Sequence, residues 1–123
     1  MQKRWTVIFY QTASGQEPAR LFITNLNKDM KSKALKEISL LEEKGNKIGP
    51  PYSKFIGDGI FELRICFASN ISRIFYFFYI NKQIILTNGF IKKEQKTPKK
   101  EIEMALKYKR DYLERHKNER NKI

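Results

Sequence analysis

KFIGDGIFELRICFASNISRIFYFFYINKQIILTNGFIKKEQK, residues 54–96, is the stretch that decides the fold. It contains three runs rich in β-branched and aromatic residues, at 60–67, 71–80 and 83–90, and each is typical of a strand. Only two or three residues separate the runs. Because such short links join neighbouring antiparallel strands, the stretch predicts an antiparallel meander. A similar run at 4–11 predicts a further strand and brings the total to four.

Two arginines and a glutamate interrupt these apolar runs. Strand alternation along 60–67 places Glu62 and Arg64 on the face opposite the large apolar side chains, and Arg73 lies in the next strand. An unpaired charge inside a core is strongly unfavourable, so Arg64 and Arg73 indicate a functional surface. A structural ion pair between Glu62 and Arg64 is the alternative interpretation.

The segment before this stretch predicts two helices that lie on one face of the sheet. Ser14 and Glu17 have the spacing of a capping box, which favours a short helix over residues 16–25. Asn27 is a typical N-cap for a second helix over residues 28–44, in which apolar residues recur every three or four positions.

The remaining segments complete an α+β prediction. Residues 45–59 are dense in Gly and Pro and are predicted to form an irregular loop. Thr97 and Pro98 are typical of a helix start, so a C-terminal helix is expected after them, with a flexible tail from about residue 117. We predict a single domain over residues 1–123, with two N-terminal helices packed on a twisted, mainly antiparallel four-stranded sheet and a C-terminal helix.

The chain is strongly basic. Its formal net charge is +12 and its pI is about 9.9, which favours a polyanionic partner, and nucleic acid more than a membrane surface. Residues 92–123 hold 12 Lys and Arg against 6 Asp and Glu, so half of the excess lies beside the end of the last strand and on the last helix. Solubility alone is the competing interpretation.

The cysteine content and the hydropathy bound the compartment. Cys66 is the single cysteine, which excludes an intramolecular disulfide, and its place inside a strand predicts a buried thiol. No window approaches eighteen apolar residues, and the N-terminal apolar run is too short for a secretion signal. We therefore predict a cytoplasmic protein that does not enter a membrane.

Several kinds of chemistry lack their residues in this sequence. It has no Gly-rich phosphate loop, no histidine and cysteine cluster at metal-ligand spacing and no catalytic triad, since His116 is its single histidine and lies near the end. Acidic residues near the sheet are scattered and outnumbered by cations. We predict neither a metal nor a cofactor.

A cationic site acting on RNA fits what remains. RNA carries its own nucleophile, the 2′-hydroxyl, so an enzyme has to hold that group in line with the phosphorus and stabilise the charge of the transition state. Arginine suits the second task because its guanidinium is permanently charged and matches two phosphate oxygens. Arg64 and Arg73 are therefore our candidate catalytic residues.

Lysines and Glu62 are the candidates for proton transfer. Like charges lower a lysine pKa towards neutrality, which suits Lys54, Lys92 or Lys93 for exchanging a proton with the RNA. Glu62 is expected to orient the Arg64 guanidinium or to act as a base. Phosphate binding is predicted for Lys92, Lys96, Lys99 and Lys100. For Lys92, Lys93 and Lys96, phosphate binding without a chemical role is the alternative to proton transfer.

Three segments in this order resemble a known group of proteins. GIFELRI at 59–65, SRIFYFFYINKQIILTNGFIKKEQKTP at 72–98 and KKEIEMA at 99–105 are similar to the RelE/ParE superfamily of toxins, and closest to its HigB-like branch related to phage Gp49 proteins. The resemblance implies the RelE-like fold and the toxin of a type II toxin–antitoxin system. It also implies cleavage of mRNA in the ribosomal A site and neutralisation by a helix-turn-helix, HigA-like antitoxin.

The resemblance also implies which residues form the site. Basic residues of the family site correspond in position to Lys54, Arg64, Arg73 and Lys92 with Lys93. Some relatives carry a tyrosine or histidine directly after the last strand as acid or base, and this chain does not. Either Lys93 or Lys96 would have to substitute, or catalysis would rest mostly on electrostatics and positioning. Two other functions stay open, namely a ParE-like toxin that poisons DNA gyrase and a non-catalytic basic module that binds RNA.

Overall fold

The computed structural model describes residues 4–92 and 97–121. Its elements, in chain order, are β1 (Thr6–Phe9), α1 (Pro18–Thr24), α2 (Lys28–Lys44), a 3-10 turn (Gly45–Lys47), β2 (Ser53–Gly57), β3 (Ile60–Phe67), β4 (Asn70–Tyr79), β5 (Gln83–Ile91), α3 (Lys99–Arg115) and α4 (Lys117–Asn121). The tail from residue 117 is thus helical as far as residue 121, and its expected flexibility stays a prediction.

The strands form one five-stranded sheet in the order β1-β5-β4-β3-β2. β3, β4 and β5 form the predicted antiparallel meander, β2 adds an antiparallel strand beside β3, and β1 pairs in parallel with β5. The α+β class and the mainly antiparallel pairing are confirmed. The predicted count of four strands is wrong, because β2 was not expected.

β2 lies in the segment that was predicted to be an irregular loop. The glycines and prolines of residues 45–59 fall on both sides of Ser53–Gly57 and leave that run free to extend. Ser53 pairs with Leu63 and Lys54 pairs with Glu62 across β2 and β3. The Gly and Pro content of the whole segment therefore hid a short strand that its neighbour stabilises.

The first face of the sheet, which carries Leu63, Ile74 and Leu86, is covered by α1 and α2. The Asn27 side chain caps α2 as predicted and accepts a hydrogen bond from the Met30 backbone N at 2.9 Å. The core of this face is apolar and consists of Ala19, Ile23, Met30, Ala34, Ile38, Leu41, Leu63, Ile65, Ile74, Tyr76, Ile84 and Leu86.

The second face, which carries Glu62, Arg73 and Phe77, is partly covered by α3. α3 packs mainly against β5 and β4, so the side of β3 that belongs to this face stays open near its end. Cys66 lies in that open part and is exposed, so the predicted buried thiol is wrong. The core beneath α3 consists of Tyr10, Ile60, Phe75, Phe77, Tyr79, Ile85, Phe90, Ala105 and Tyr112.

Two predicted helix caps are wrong. Glu17 lies at the N-cap of α1 without a side-chain capping bond, and the Ser14 hydroxyl pairs with Thr12 instead. Pro98, not Thr97, is the N-cap residue of α3. The Thr97 hydroxyl instead donates a hydrogen bond to Glu62, which brings the start of α3 to the charged part of the second face.

Candidate functional site

The two arginines lie directly opposite each other on the second face. Arg64 of β3 and Arg73 of β4 are register partners, and directly opposed residues of antiparallel strands point to the same side of the sheet. The prediction that both guanidinium groups share one surface is consistent with this register. Like charges in this position repel each other, so the pair needs a counter-charge or an anionic ligand.

Glu62 supplies the counter-charge, and it supplies it to Arg73. Glu62 is 0% exposed and Arg73 is 4% exposed. Oε1 of Glu62 lies 3.1 Å from Nη1 of Arg73, and Oε2 accepts a 2.8 Å hydrogen bond from the Thr97 hydroxyl. The expected pairing of Glu62 with Arg64 is wrong, because the carboxylate turns to Arg73, its diagonal neighbour across β3 and β4.

Arg64 has no carboxylate partner among the described residues. Within residues 4–92 and 97–121, the buried Nε groups of Arg64 and Arg73 also have no hydrogen-bond partner. A buried donor without a partner is unfavourable, and an anion in front of these groups would satisfy them. The two guanidinium groups therefore differ, since a carboxylate holds Arg73 and no carboxylate of the described ranges holds Arg64.

Two lysines extend this cationic surface. Lys54 of β2 lies opposite Glu62 in the strand register. Lys92 follows β5, and its backbone N donates to the Ile71 carbonyl. Partial burial, and then the positive charge of Arg73, lower the pKa of Lys92. Lys54 and Arg64 add to this lowering, whereas the Glu62 carboxylate opposes it. Like charges, which the prediction named as the cause of a lowered lysine pKa, thus come second to burial at Lys92.

Burial also lowers the pKa of the Arg73 guanidinium, and Glu62 acts against this effect while Arg64 adds to it. The positive charges of Lys54, Arg64 and Arg73 all act on Lys92. We call the space that these four residues line the cationic cleft. The whole pocket, which also runs around the β2 edge to the first face, has a volume of about 990 Å³. Four cations with one carboxylate on its wall favour a polyanionic ligand.

The cleft continues around the β2 edge of the sheet. Its lining includes Phe55 and Phe61, whose register places them on the first face, together with residues of the loop before β2. The full lining is Gly45, Asn46, Ile48, Gly49, Pro50, Pro51, Ser53, Lys54, Phe55, Phe61, Glu62, Arg64, Ile71, Arg73, Tyr76, Phe78 and Lys92. The 45–51 loop was not expected at the site, because nothing in its composition indicates where it folds back.

The remaining sequence candidates lie elsewhere. Lys93 and Lys96 fall outside the described residues. Lys99 and Lys100 are exposed in the first turn of α3 and are not among the residues that line the cleft. Thr97 was missed as a part of the site, because a threonine before a proline is also a common helix-start signal and the sequence does not distinguish the two uses.

Two further findings concern the part of the chain that the structure describes. It holds no group of three or more His, Cys, Asp or Glu side chains arranged to bind a metal ion. Its helices are too short or too polar to cross a membrane.

Comparison with known proteins identifies the family. The model of the phage-derived Gp49-like protein family (DUF891) matches residues 21–110, which run from α1 into α3 and include the whole cationic cleft. A search of curated proteins finds no match. The match covers well over half of the chain, so the protein belongs to the Gp49-like family, which is part of the RelE/ParE-like toxin superfamily of toxin–antitoxin systems.

Proposed function

We propose that this protein is a ribosome-dependent endoribonuclease, the toxin of a type II toxin–antitoxin system, which cleaves mRNA in the ribosomal A site and so stops translation. Family membership supports the toxin class. The observation that carries the nuclease function is the direct opposition of Arg64 and Arg73 in an open cleft with Lys54 and Lys92. Cationic side chains gathered at one point of the protein surface suit the stabilisation of charge on a reacting phosphate better than sequence-independent binding along an RNA strand.

The proposed reaction uses the 2′-hydroxyl of the RNA and no metal ion. The 2′ oxygen attacks the adjacent phosphorus, the bond from phosphorus to the 5′ oxygen breaks, and the products are a 2′,3′-cyclic phosphate and a 5′-hydroxyl. A base takes the proton from the 2′-hydroxyl, and an acid gives one to the departing 5′ oxygen. The extra negative charge on the pentacoordinate phosphorus is stabilised by guanidinium groups at fixed positions.

The geometry supports a division of roles among the cationic residues. Arg64 has no carboxylate partner among the described residues, so it is our first candidate for binding the scissile phosphate, with Arg73 beside it. Lys92, whose pKa is lowered by burial and by its cationic neighbours, suits proton transfer to the leaving oxygen. Lys54 suits either phosphate binding or the second proton transfer.

Glu62 fits a supporting role better than that of a base. Both of its oxygens are engaged, one by Arg73 and one by Thr97, which suits a carboxylate that orients its neighbours better than one that takes up a proton. We also propose that Lys93, Lys96, Lys99 and Lys100 hold phosphates along the RNA on either side of the scissile bond. The proposed partner is a helix-turn-helix, HigA-like antitoxin that places carboxylates over the cleft, and both proteins act in the cytoplasm without a cofactor.

A translation extract provides the test. The purified protein is added to ribosomes programmed with a defined mRNA, and cleavage is mapped by primer extension. We expect cuts within translated codons, none when ribosomes are omitted, and none when the nucleotide before the cut carries 2′-deoxyribose. Arg64→Ala should abolish most cleavage, whereas Arg110→Ala, which removes an exposed arginine of α3, should not.

Four outcomes would contradict the proposal. Cleavage of a 2′-deoxy site would exclude attack by the 2′-hydroxyl. Cleavage that is equally fast without ribosomes would exclude ribosome dependence. Intact mRNA together with loss of gyrase supercoiling activity would favour the ParE-like alternative, and intact mRNA with RNA binding alone would favour a non-catalytic module.

A further inference from the structure

A chain of polar contacts links the start of α3 to the second face of the sheet. The Thr97 hydroxyl donates to Oε2 of Glu62 at 2.8 Å, and Oε1 of the same carboxylate lies 3.1 Å from Nη1 of Arg73. Three separate elements thus meet in one buried contact, namely the residue before α3, the middle of β3 and the middle of β4.

The Thr97 hydroxyl does not cap α3. Pro98 is the N-cap residue of α3, and no side chain caps this helix. A threonine at a helix start normally bonds to the backbone of the first turn, yet here the hydroxyl turns to Glu62. A hydrogen bond to a buried carboxylate is stronger than one between neutral groups, so it fixes the rotation of the carboxylate group.

That rotation decides where the Arg73 guanidinium lies. Oε1 of Glu62 accepts no hydrogen bond from the described residues, so its hold on Arg73 is the ion pair alone. Arg64, directly opposite, repels the Arg73 guanidinium. A carboxylate free to rotate would hold Arg73 less firmly against this repulsion. The hydrogen bond from Thr97 therefore opposes the displacement of Arg73 from the cationic cleft.

We propose that Thr97 is a positioning residue that acts through Glu62 to hold the Arg73 guanidinium at the place where the scissile phosphate is activated. The inference rests on the proposed nuclease function of the cleft. Thr97 does not line the cleft, so it acts on turnover and not on the capture of RNA. Small displacements of a group that stabilises a transition state lower kcat more than they raise KM.

The test compares three threonine variants. Thr97→Val keeps the shape of the side chain and removes the hydroxyl, and Thr97→Ser keeps the hydroxyl. Thr87→Val is the matched control, because the buried Thr87 hydroxyl donates to the Phe75 carbonyl and reaches no side chain of the cleft. All three are measured for mRNA cleavage on programmed ribosomes and for the chemical shift of the Arg73 Nε–H group by NMR.

Thr97→Val should lower kcat by about 10- to 100-fold with KM changed by less than about twofold, and it should shift the Arg73 resonance. Thr97→Ser should restore both values, and Thr87→Val should change neither. An unchanged Arg73 resonance or an unchanged kcat in Thr97→Val overturns the inference, and so does an equal loss of kcat in Thr87→Val. The NMR shift does not depend on cleavage, so a wild-type protein that cleaves no mRNA counts against the proposed function and leaves the contact chain to be judged by the resonance.

Discussion

The two halves of the second face are built from the same strands, but one half carries apolar side chains and the other carries charged ones. In one half, Phe77 and Tyr79 of β4 lie under Ala105 and Tyr112 of α3 and form an apolar core. In the other half, the same strand carries Arg73, which pairs with Glu62 on the wall of the cationic cleft. Alternation places all of these β4 side chains on one face, so the difference is set by where α3 lies and not by the strand itself.

This difference teaches how one sheet face serves both stability and function. Under α3, the Tyr79 hydroxyl donates to the His116 carbonyl at 3.0 Å and the Asn88 amide donates to the Glu101 carbonyl at 3.4 Å. Asn88 Oδ1 has no partner among the described residues. In the cationic cleft, Glu62 and Arg73 are just as buried, yet both buried arginine Nε groups lack a partner among the described residues. The charged half thus concentrates cationic donors without a described partner, which are groups that an anion would satisfy.

Breaking the buried ion pair between Arg73 and Glu62 is expected to have the largest effect, because it lowers both the stability of the fold and the activity of the cleft. Arg73→Met leaves the buried Glu62 carboxylate without its cation, so the free energy of unfolding should fall by about 3–5 kcal/mol. Urea unfolding measures this change. The double variant Arg73→Met with Glu62→Leu should recover most of the lost stability, because an apolar pair of similar size replaces the charges.

The double variant should still lack cleavage activity, which separates the structural role of the pair from its role in the cleft. Glu17→Ala is the control, since it removes an exposed ion pair with Arg20 and should change stability by no more than about 1 kcal/mol. If Arg73→Met alone unfolds at the wild-type urea concentration, the buried pair does not support the fold and the comparison loses its charged half.

Truncation in the apolar half is expected to affect stability alone. Phe77→Ala removes a fully buried ring that packs against Tyr112 and should reduce the free energy of unfolding by about 3–5 kcal/mol. The kcat per folded molecule should stay within about twofold of wild type, because Phe77 does not line the cleft. Leu35→Ala, at a residue of α2 that is 52% exposed, is the control and should change stability by less than about 0.5 kcal/mol. A large fall in kcat for folded Phe77→Ala would mean that the two halves are not independent.

Arg64→Ala should show the reverse pattern. Loss of a group that stabilises transition-state charge lowers the rate by about 100- to 1000-fold, which corresponds to about 3–4 kcal/mol. Stability should change by less than about 0.5 kcal/mol, because Arg64 pairs with no described carboxylate and its removal relieves repulsion with Arg73. Single-turnover cleavage on programmed ribosomes and urea unfolding check the two values. A variant that loses stability in proportion to activity would show that Arg64 is structural.

The sequence predicted the elements and the faces better than the contacts. The positions of α2, β3, β4 and β5 follow from local periodicity and caps, which need only neighbouring residues, and they were predicted to within one residue. The shared face of Arg64 and Arg73 required the strand register, which the short link between β3 and β4 largely determines.

The partner of Glu62 was not predictable in this way. Glu62 and Arg64 are two positions apart in the sequence, and only the pairing of β3 with β4 brings Arg73 to the carboxylate. The contact from Thr97 depends on how the chain returns to the sheet before α3, and β2 depends on the edge that β3 offers. These contacts are long-range, and local propensity does not encode them.

The pH dependence gives the smallest expected effect and the finest comparison of charges within the cleft. The pKa of Lys92 is lowered by burial and by Arg73, Lys54 and Arg64, and it is raised by Glu62. Cleavage that needs protonated Lys92 should therefore fall as the pH rises through this lowered pKa. Lys54→Met removes a positive neighbour, so it should raise the pKa of Lys92 and move the alkaline fall in rate to higher pH.

Glu62→Gln should act in the opposite direction, since it removes the negative charge that raises the pKa of Lys92, and the alkaline fall should move to lower pH. The pKa is measured by following the NMR signals of the Lys92 side chain through a titration, and the rate is measured over the same pH range in single turnovers. Shifts of opposite sign in the two variants, equal in NMR and in rate, would identify Lys92 as the proton donor. A rate profile that ignores a shifted Lys92 pKa would assign proton transfer to another group, because the charges of the cleft would then be acting on a lysine that the reaction does not use.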